Sequence, residues 1–216
     1  MTTLIGLCGS LRRQSFNRML LRVAIEAAPP GTAIELESIR EIPLYDGDVE
    51  EEQGVPPAVQ RLKDRLADAD GLLIVTPEYN ASMPGVLKNA IDWMSRPAED
   101  IPRVFGGQPM AIMGATPGPG GTALSQASWL PVVRTLGMRP WFEGAVLVSN
   151  AGSAFDGNGR VADPATEARI RRFIEGFAVF VAMQRGHQER SVTRGFPVTV
   201  GTNQARAAHP GLGVRP

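Results

Sequence analysis

The chain has 216 residues, with 22 Lys and Arg balanced by 22 Asp and Glu, so its formal net charge is zero. That neutrality excludes a global electrostatic pull toward nucleic acid or an anionic membrane, and any bound anion must be held by a local arrangement. Hydrophobic residues at 43% and charged residues at 20% describe an ordinary globular domain, large enough for one substantial core.

Cys8 is the single cysteine, so no intramolecular disulfide can form. It ends an apolar run and reads as a buried, inert thiol. His187 and His209 are the two histidines and have no nearby Cys or His partner, which leaves a zinc site without support. No apolar run reaches the roughly 18 residues of a membrane span. The N-terminus lacks the basic start of a signal peptide, and a cytoplasmic location is the expectation.

In chain order, Thr3–Cys8 reads as a buried strand, and Phe16, Met19, Leu20, Val23, Ala24 and Ala27 fall at helical spacing until Pro29-Pro30-Gly31 stops them. Ala33–Leu36 is a second short strand, followed by a loop containing Pro43, Tyr45, Asp46 and Asp48. Val59, Leu62 and Leu66 mark the next helix. Gly71–Thr76 is continuously apolar, as in a strand buried on both faces. Pro84 suits the first position of a helix whose apolar face is Val86, Leu87, Ala90, Ile91 and Met94.

Pro109–Gly114 is a fourth strand, and Gly120-Gly121 opens a helix running to about Leu136. Ala145–Val148 is a fifth strand core, and Ile170, Phe173, Ile174, Phe177 and Val181 make a final helix. Five strands alternating with helices, without an internal repeat, predict a parallel sheet with helices on both faces. The units fit an α/β flavodoxin-like three-layer sandwich with strand order 2-1-3-4-5. The domain is expected over residues 1–185. Residues 186–216, rich in Gly, Pro and charge, read as a tail that is mobile or packed on a neighbouring subunit.

Ligands of open parallel sheets bind beyond the carboxyl ends of the strands, at the switch in strand order. The loops there are Gly9–Asn17, Pro77–Met83 and Ala115–Gly121. GSLRRQSFN leads directly into a helix, whose free amides and positive dipole end attract an anion. Ser10, Ser15 and Asn17 can donate to phosphate oxygens, and Arg12 can clamp a phosphate through its planar fork. The plainer alternative makes Ser15 a helix cap and the arginines solvated charges. The loop lacks the Gly-Lys-Ser/Thr ending of a nucleoside triphosphate site.

Pro77, Glu78, Tyr79 and Asn80 suit a flat heteroaromatic ligand, or else form a simple turn with Glu78 in solvent. In the third loop, Thr116-Pro117-Gly118-Pro119-Gly120-Gly121 lets the backbone approach a ligand closely. Gly118 to Ala123 also fits G-x-G-x-x-A, but the acid wanted after the next strand is missing, since Glu143 precedes it.

Together, GSLRRQSFN at Gly9–Asn17, TPEYNASMPGVLKNAIDW at Thr76–Trp93 and TPGPGG at Thr116–Gly121 resemble the NADPH-dependent FMN reductases of flavodoxin-like fold. PLYDGD at Pro43–Asp48 is similar to that family's second loop, and the resemblance covers roughly residues 1 to 183. It implies that the FMN phosphate is bound by Ser10, Leu11, Arg12, Arg13, Gln14, Ser15, Phe16 and Asn17, chiefly by Ser10, Arg12, Ser15 and Asn17. Pro77, Glu78, Tyr79 and Asn80 would contact the isoalloxazine, largely through the backbone. Thr116, Gly118, Gly120 and Gly121 would flank the ring and ribityl chain.

The family often has Ser where Thr116 stands and extra residues where Pro119 stands. The implied activity is transfer of hydride from NADPH or NADH through FMN to a quinone-like, flavin, azo or metal-oxyanion acceptor by a ping-pong mechanism. It needs no catalytic side chain and no metal. A homodimer or homotetramer is implied, with the Pro84–Met94 helix and Trp93 as candidate contacts; core packing is the other reading of Trp93. A flavodoxin-like electron carrier and an FMN-binding interaction protein are the alternatives. Arg13 has no assigned partner.

Overall fold

The computed structural model describes residues 1–193. The sheet strands are β1 (Thr2–Cys8), β2 (Thr32–Glu37), β3 (Gly71–Val75), β4 (Pro109–Ala115), β5 (Arg139–Pro140) and β6 (Leu147–Val148). The order is β2-β1-β3-β4-β5, with β6 also beside β4, and every pairing is parallel. This is the flavodoxin-like architecture. The sheet holds six strands where five were expected, because the last position is filled by two short pieces. β5 pairs with the start of β4 (Pro109 opposite Arg139), and β6 pairs with its end (Gly114 opposite Leu147). The Arg139 and Trp141 amides donate to the Gln108 and Met110 carbonyls, both at 2.9 Å, so Pro140 sits with its missing N–H on the open edge; past Trp141 the chain leaves the sheet and returns at β6.

The helices are α1 (Phe16–Glu26), α2 (Gly47–Gln53), α3 (Pro57–Ala67), α4 (Gly85–Met94), α5 (Ile101–Val104), α6 (Ala123–Ser128), α7 (Leu130–Thr135), α8 (Ala151–Ala154) and α9 (Pro164–Thr193). The expected helix from Gly120 to Leu136 is two helices. Pro131 lies in the first turn of α7. Inside one continuous helix its ring would clash with the preceding turn and delete a hydrogen bond. The two glycines precede α6 and belong to the loop. α2 forms where only a loop was expected. Asp46 caps it, accepting from the Asp48 amide at 3.0 Å. α9 continues to Thr193, past the point where a tail was expected to begin; the remaining tail residues, 194–216, lie outside the described residues.

Strand alternation divides the core into two layers. Leu4, Leu73, Val75, Ala111, Met113 and Ala115 face α1 and α9, meeting Leu20, Leu21, Ile170, Phe173 and Phe177. Ile5, Leu7, Leu72, Ile74 and Met110 face the other way, against α3, α4 and α7 through Val59, Leu62, Leu87, Ile91, Trp129 and Val133. Trp93 is fully buried in this second layer, its indole N–H donating to the Pro43 carbonyl at 3.0 Å. It is core packing, not an exposed contact.

The second layer also contains a buried cation. Lys63 of α3 is 0% exposed, and its Nζ lies 2.7 Å from Asp100 and bonds the Arg96 carbonyl. Hydrogen bonds from Arg103 and then Lys63 hold the Asp100 carboxyl down to about 2. A carboxyl depressed on folding stabilises the fold above its unfolded value near 4, and that stabilisation fades as pH falls toward 2. Asp100→Asn should therefore lower the urea midpoint at pH 7, and the gap to wild type should narrow by pH 3 to 2. A gap that stays constant with pH would refute the linkage.

Candidate functional site

The parallel sheet brings the loops after β1, β3, β4 and β6 to one edge. In the first, Ser15 caps α1: its hydroxyl accepts from the Arg18 amide at 3.3 Å and its carbonyl from Met19 at 3.0 Å. Capping does not exhaust the helix start. The amides of Arg13, Gln14, Ser15, Phe16 and Asn17 donate to no protein acceptor among the described residues. Five successive free N–H groups at a helix's positive end are an arrangement that suits an anion. Ser10 and Ser15 are buried beside it, while Arg12, Arg13 and Gln14 are exposed.

The loop's other side chains have structural work. Leu11 and Phe16 pack onto the two core layers, so toward a ligand they offer only backbone. Asn17 is buried and turned inward. Its Nδ2 donates to the Ala115 carbonyl at 2.8 Å and its Oδ1 accepts from the Ala115 amide at 2.9 Å. The first loop is thus fixed to the end of β4. Arg40, which the sequence did not single out, donates to the Leu11 carbonyl from the β2–α2 connection. Burial pushes the Cys8 thiol up, and its Sγ donates to the Ser10 carbonyl at 3.6 Å, so the thiol is an inert wall.

After β3, Thr76 and Pro77 are buried and the chain makes a tight hairpin turn. Tyr79 and Ser82 exchange both backbone bonds, at 3.0 and 3.1 Å, around Asn80 (φ 50°) and Ala81 (φ 60°). Two left-handed residues define a type I′ turn, which Asn favours and Ala does not. Tyr79 and Asn80 are held at its exposed tip. Glu78 is not simply in solvent. Its Oε2 accepts from the Leu124 and Ser125 amides, at 2.9 and 3.0 Å, and so caps α6. The two amides that a dinucleotide pyrophosphate would need at that helix are therefore engaged, which removes the G-x-G-x-x-A reading of Gly118–Ala123.

In the loop after β4, Gly121 adopts φ 63°; nothing lies within 4 Å of where a Gly120 Cβ would sit, and only the Thr116 hydroxyl, at 3.9 Å, lies near that of Gly118. The tighter constraint is at Gly114, one residue before the end of β4. A Cβ there would collide with the Thr122 hydroxyl and the Thr76 carbonyl. Buried Thr76 also meets Ser125, Oγ1 to Oγ at 2.9 Å. Gly114, Thr122 and Ser125 thus let the second and third loops close on one another. Sequence spacing did not mark them, although a glycine inside a buried strand is a recognised sign of close approach.

The Thr116 carbonyl accepts from the Ala151 amide and the Gly118 carbonyl from the Asn150 amide, both at 3.0 Å. On the far side, Asn89 and Trp93 hold the Pro43 carbonyl, and the Tyr45 ring meets Trp93 edge-on with centroids 4.9 Å apart. Glu50, held low by hydrogen bonds from Arg96, accepts from the Tyr45 hydroxyl at 2.8 Å. Ser10–Asn17, Pro77–Asn80 and Thr116–Gly121 are therefore tied to one another at one edge of the sheet, and the space between them is the candidate slot. Among the described residues, no helix is long and apolar enough to cross a membrane. Nor does any group of three or more His, Cys, Asp or Glu converge as metal ligands there.

Known proteins resemble this chain in sequence and in fold. A family model for NADPH-dependent FMN reductase matches residues 2–153. An NAD(P)H-dependent FMN reductase of Pseudomonas aeruginosa is 44% identical over 182 residues, covering 84% of this chain and 96% of its own. A 2-hydroxy-1,4-benzoquinone reductase of a Burkholderia species is 39% identical over 177 residues, covering 82% and 94%. The structure of a flavoenzyme NAD(P)H:(acceptor) oxidoreductase from Paracoccus denitrificans superimposes with a TM-score of 0.77 at 32% identity, over 85% of this chain and 99% of that one. The family model, which spans most of the chain, and relatives of 44% and 39% identity show that the chain belongs to the NADPH-dependent FMN reductase family and is an oxidoreductase.

Proposed function

We propose that the slot binds FMN and serves a ping-pong NAD(P)H oxidoreductase whose acceptor is a quinone-type molecule. The observation that carries this reading is the run of free amides from Arg13 to Asn17, fixed at the open edge of the sheet. Amides at a helix start suit a phosphate monoester. Buried Ser10 and Ser15 add hydroxyl donors, and exposed Arg12 supplies a charged fork. The glycine loop after β4 and the Pro77–Asn80 turn offer a ligand backbone more than bulky side chains, which suits a flat ring.

When bound, FMN supplies the hydride chemistry. This chain supplies position and charge. Residues 10–17 hold the phosphate, with Arg12 as its clamp. Pro77, Glu78, Tyr79 and Asn80 present backbone groups to the ring, and Glu78, by holding α6, keeps that turn at a fixed distance from Thr116–Gly121. Asn17 acts as a brace for the phosphate loop more than as a direct donor. Donor and acceptor would enter the same open side of the slot in turn, the basis for ping-pong kinetics. Free flavins, azo dyes and metal oxyanions are further acceptors in this reading. A cytoplasmic location and assembly as a homodimer or homotetramer complete it. Half-exposed Tyr79, Val86 and Leu124, on α4 and the slot's rim, support a covered surface there.

The full chain incubated with FMN should turn yellow and retain the flavin through desalting. NADPH should bleach it anaerobically, and a quinone should restore the colour over many turnovers, with parallel double-reciprocal plots. A protein that stays colourless overturns the reading. Bleaching without sustained turnover would instead favour an electron carrier or a flavin-binding interaction protein.

Arg12→Ala removes a charge-assisted bond of about 1.5–3 kcal/mol, so FMN Kd should rise roughly 10- to 150-fold, with little change in turnover at saturating flavin. Unchanged affinity in a fluorescence titration excludes the clamp. Glu78→Ala removes the cap of α6, at a cost of about 0.5–2 kcal/mol. It should lower Tm by a few degrees, about 2–4 °C per kcal/mol at this size, and weaken FMN binding with it. An intact Tm would argue against the cap.

A further inference from the structure

Positive charge around α1 extends past the run of free amides. A pocket of about 170 Å³ opens between α1 and the turn that precedes α9. One wall is Arg13, Gln14 and Ser15 of the first loop with Arg18 and Arg22 of α1, and the other is Gly157–Gly159. Phe155 stacks on Phe16 with centroids 6.1 Å apart, and Gly159 lies against Met19, so the turn is fixed on the helix. Folding does not call for this charge. Arg18 and Arg22 are one turn apart, and like charges at that spacing destabilise a helix. Arg13 and Arg18 stand at the helix's positive end, where the macrodipole disfavours cations. Among the described residues, none of the three arginines has an acidic partner within 4 Å. Asp156, the nearest acid in sequence to the turn, spends Oδ1 on the Asn158 and Arg160 amides at 2.8 and 2.9 Å.

The pocket adjoins the anion site through shared residues. Arg13, Gln14 and Ser15 carry three of the five free amides and also line the pocket. Side chains on a helix tilt toward its N-terminus, so Arg18 and Arg22 lean back along the pocket toward a phosphate on those amides. Arg22 lies about 9 Å along the helix axis from Phe16, beyond the reach of a phosphate monoester held at the helix start. A ligand that continues past its first phosphate does reach it. Such a ligand needs a further negative group for the arginines and a compact group for the remaining volume. A cavity of about 150 Å³ holds a benzene ring, and a guanidinium stacks on a planar ring as well as binding phosphate. A second phosphate esterified to adenosine offers both.

We propose that the site takes FAD as well as FMN, with the adenylate half of FAD held in this pocket by Arg13, Arg18 and Arg22. The inference rests on the flavin reading for the first phosphate and the ring. FAD differs from FMN only in the added adenylate, so the two flavins separate the pocket's contribution from that of the phosphate loop. Each is titrated into the flavin-free full chain and followed by flavin fluorescence. Wild type should bind FAD as tightly as FMN, to within about threefold, or tighter.

Arg22 is exposed and outside the phosphate loop, and its removal relieves the repulsion with Arg18, so Arg22→Gln should fold as the wild type does. It should raise the FAD Kd about tenfold, the loss of one charge-assisted hydrogen bond, and leave the FMN Kd within about twofold. FMN binding with FAD weaker by more than about threefold overturns the proposal and leaves the flavin reading standing. An FAD affinity that survives Arg22→Gln, or an equal loss for both flavins, overturns it as well. A chain that binds neither flavin defeats the flavin reading and this proposal with it.

Discussion

The site depends on one side chain bonded to one peptide unit. Asn17 satisfies both the carbonyl and the amide of Ala115 from within the first turn of α1. In hydrogen-bond terms it is a rung of sheet ladder supplied by a helix. It fixes the start of α1 against the end of β4, although 98 residues separate them. Because the pair is buried, losing either half would leave an unsatisfied polar group, which costs more than the bond itself contributes. The free amides at the start of α1 and the glycine loop that follows β4 are therefore held in a fixed mutual position by the protein itself. That is the preorganisation a tightly held cofactor requires.

A second tie joins the other pair of loops. Glu78 reaches from the turn after β3 to the start of α6, and Gly114, lacking a side chain, leaves room for the Thr76 carbonyl and the Thr122 side chain to come close. Each tie uses a group that could have been read as a ligand contact. The economy of the site lies in dividing labour within a single loop: side chains such as Asn17, Leu11 and Phe16 hold the frame, and the backbone they release faces outward. A chain of zero net charge concentrates positive potential in one place by this means.

Much of this was legible from residues alone. Apolar runs such as GLLIV and helical stripes such as Leu87, Ala90, Ile91 and Met94 have one plausible reading each, because burial on two faces and on one face leave different periods. The three site loops were legible because parallel strands send all their carboxyl ends to one edge. What escaped was whatever depends on two distant segments meeting. Asn17 as a brace, Glu78 as a cap and Arg40 against Leu11 have no local signature, since an amide or carboxylate looks the same whether it meets ligand or backbone. The division of the helix at Pro131 was visible in principle. The broken last strand was less so, as a strand of two residues carries no period.

That broken strand also decides how copies of this chain can meet. At one border of the sheet, β5 and β6 offer two residues each, interrupted by the excursion through Trp141. At the other, β2 carries Glu35 and Glu37, both paired with Arg65 from α3. Short or charged borders are poor templates for strand addition. Neither border invites a continuous intermolecular sheet, so any self-association would have to use helical faces and loops.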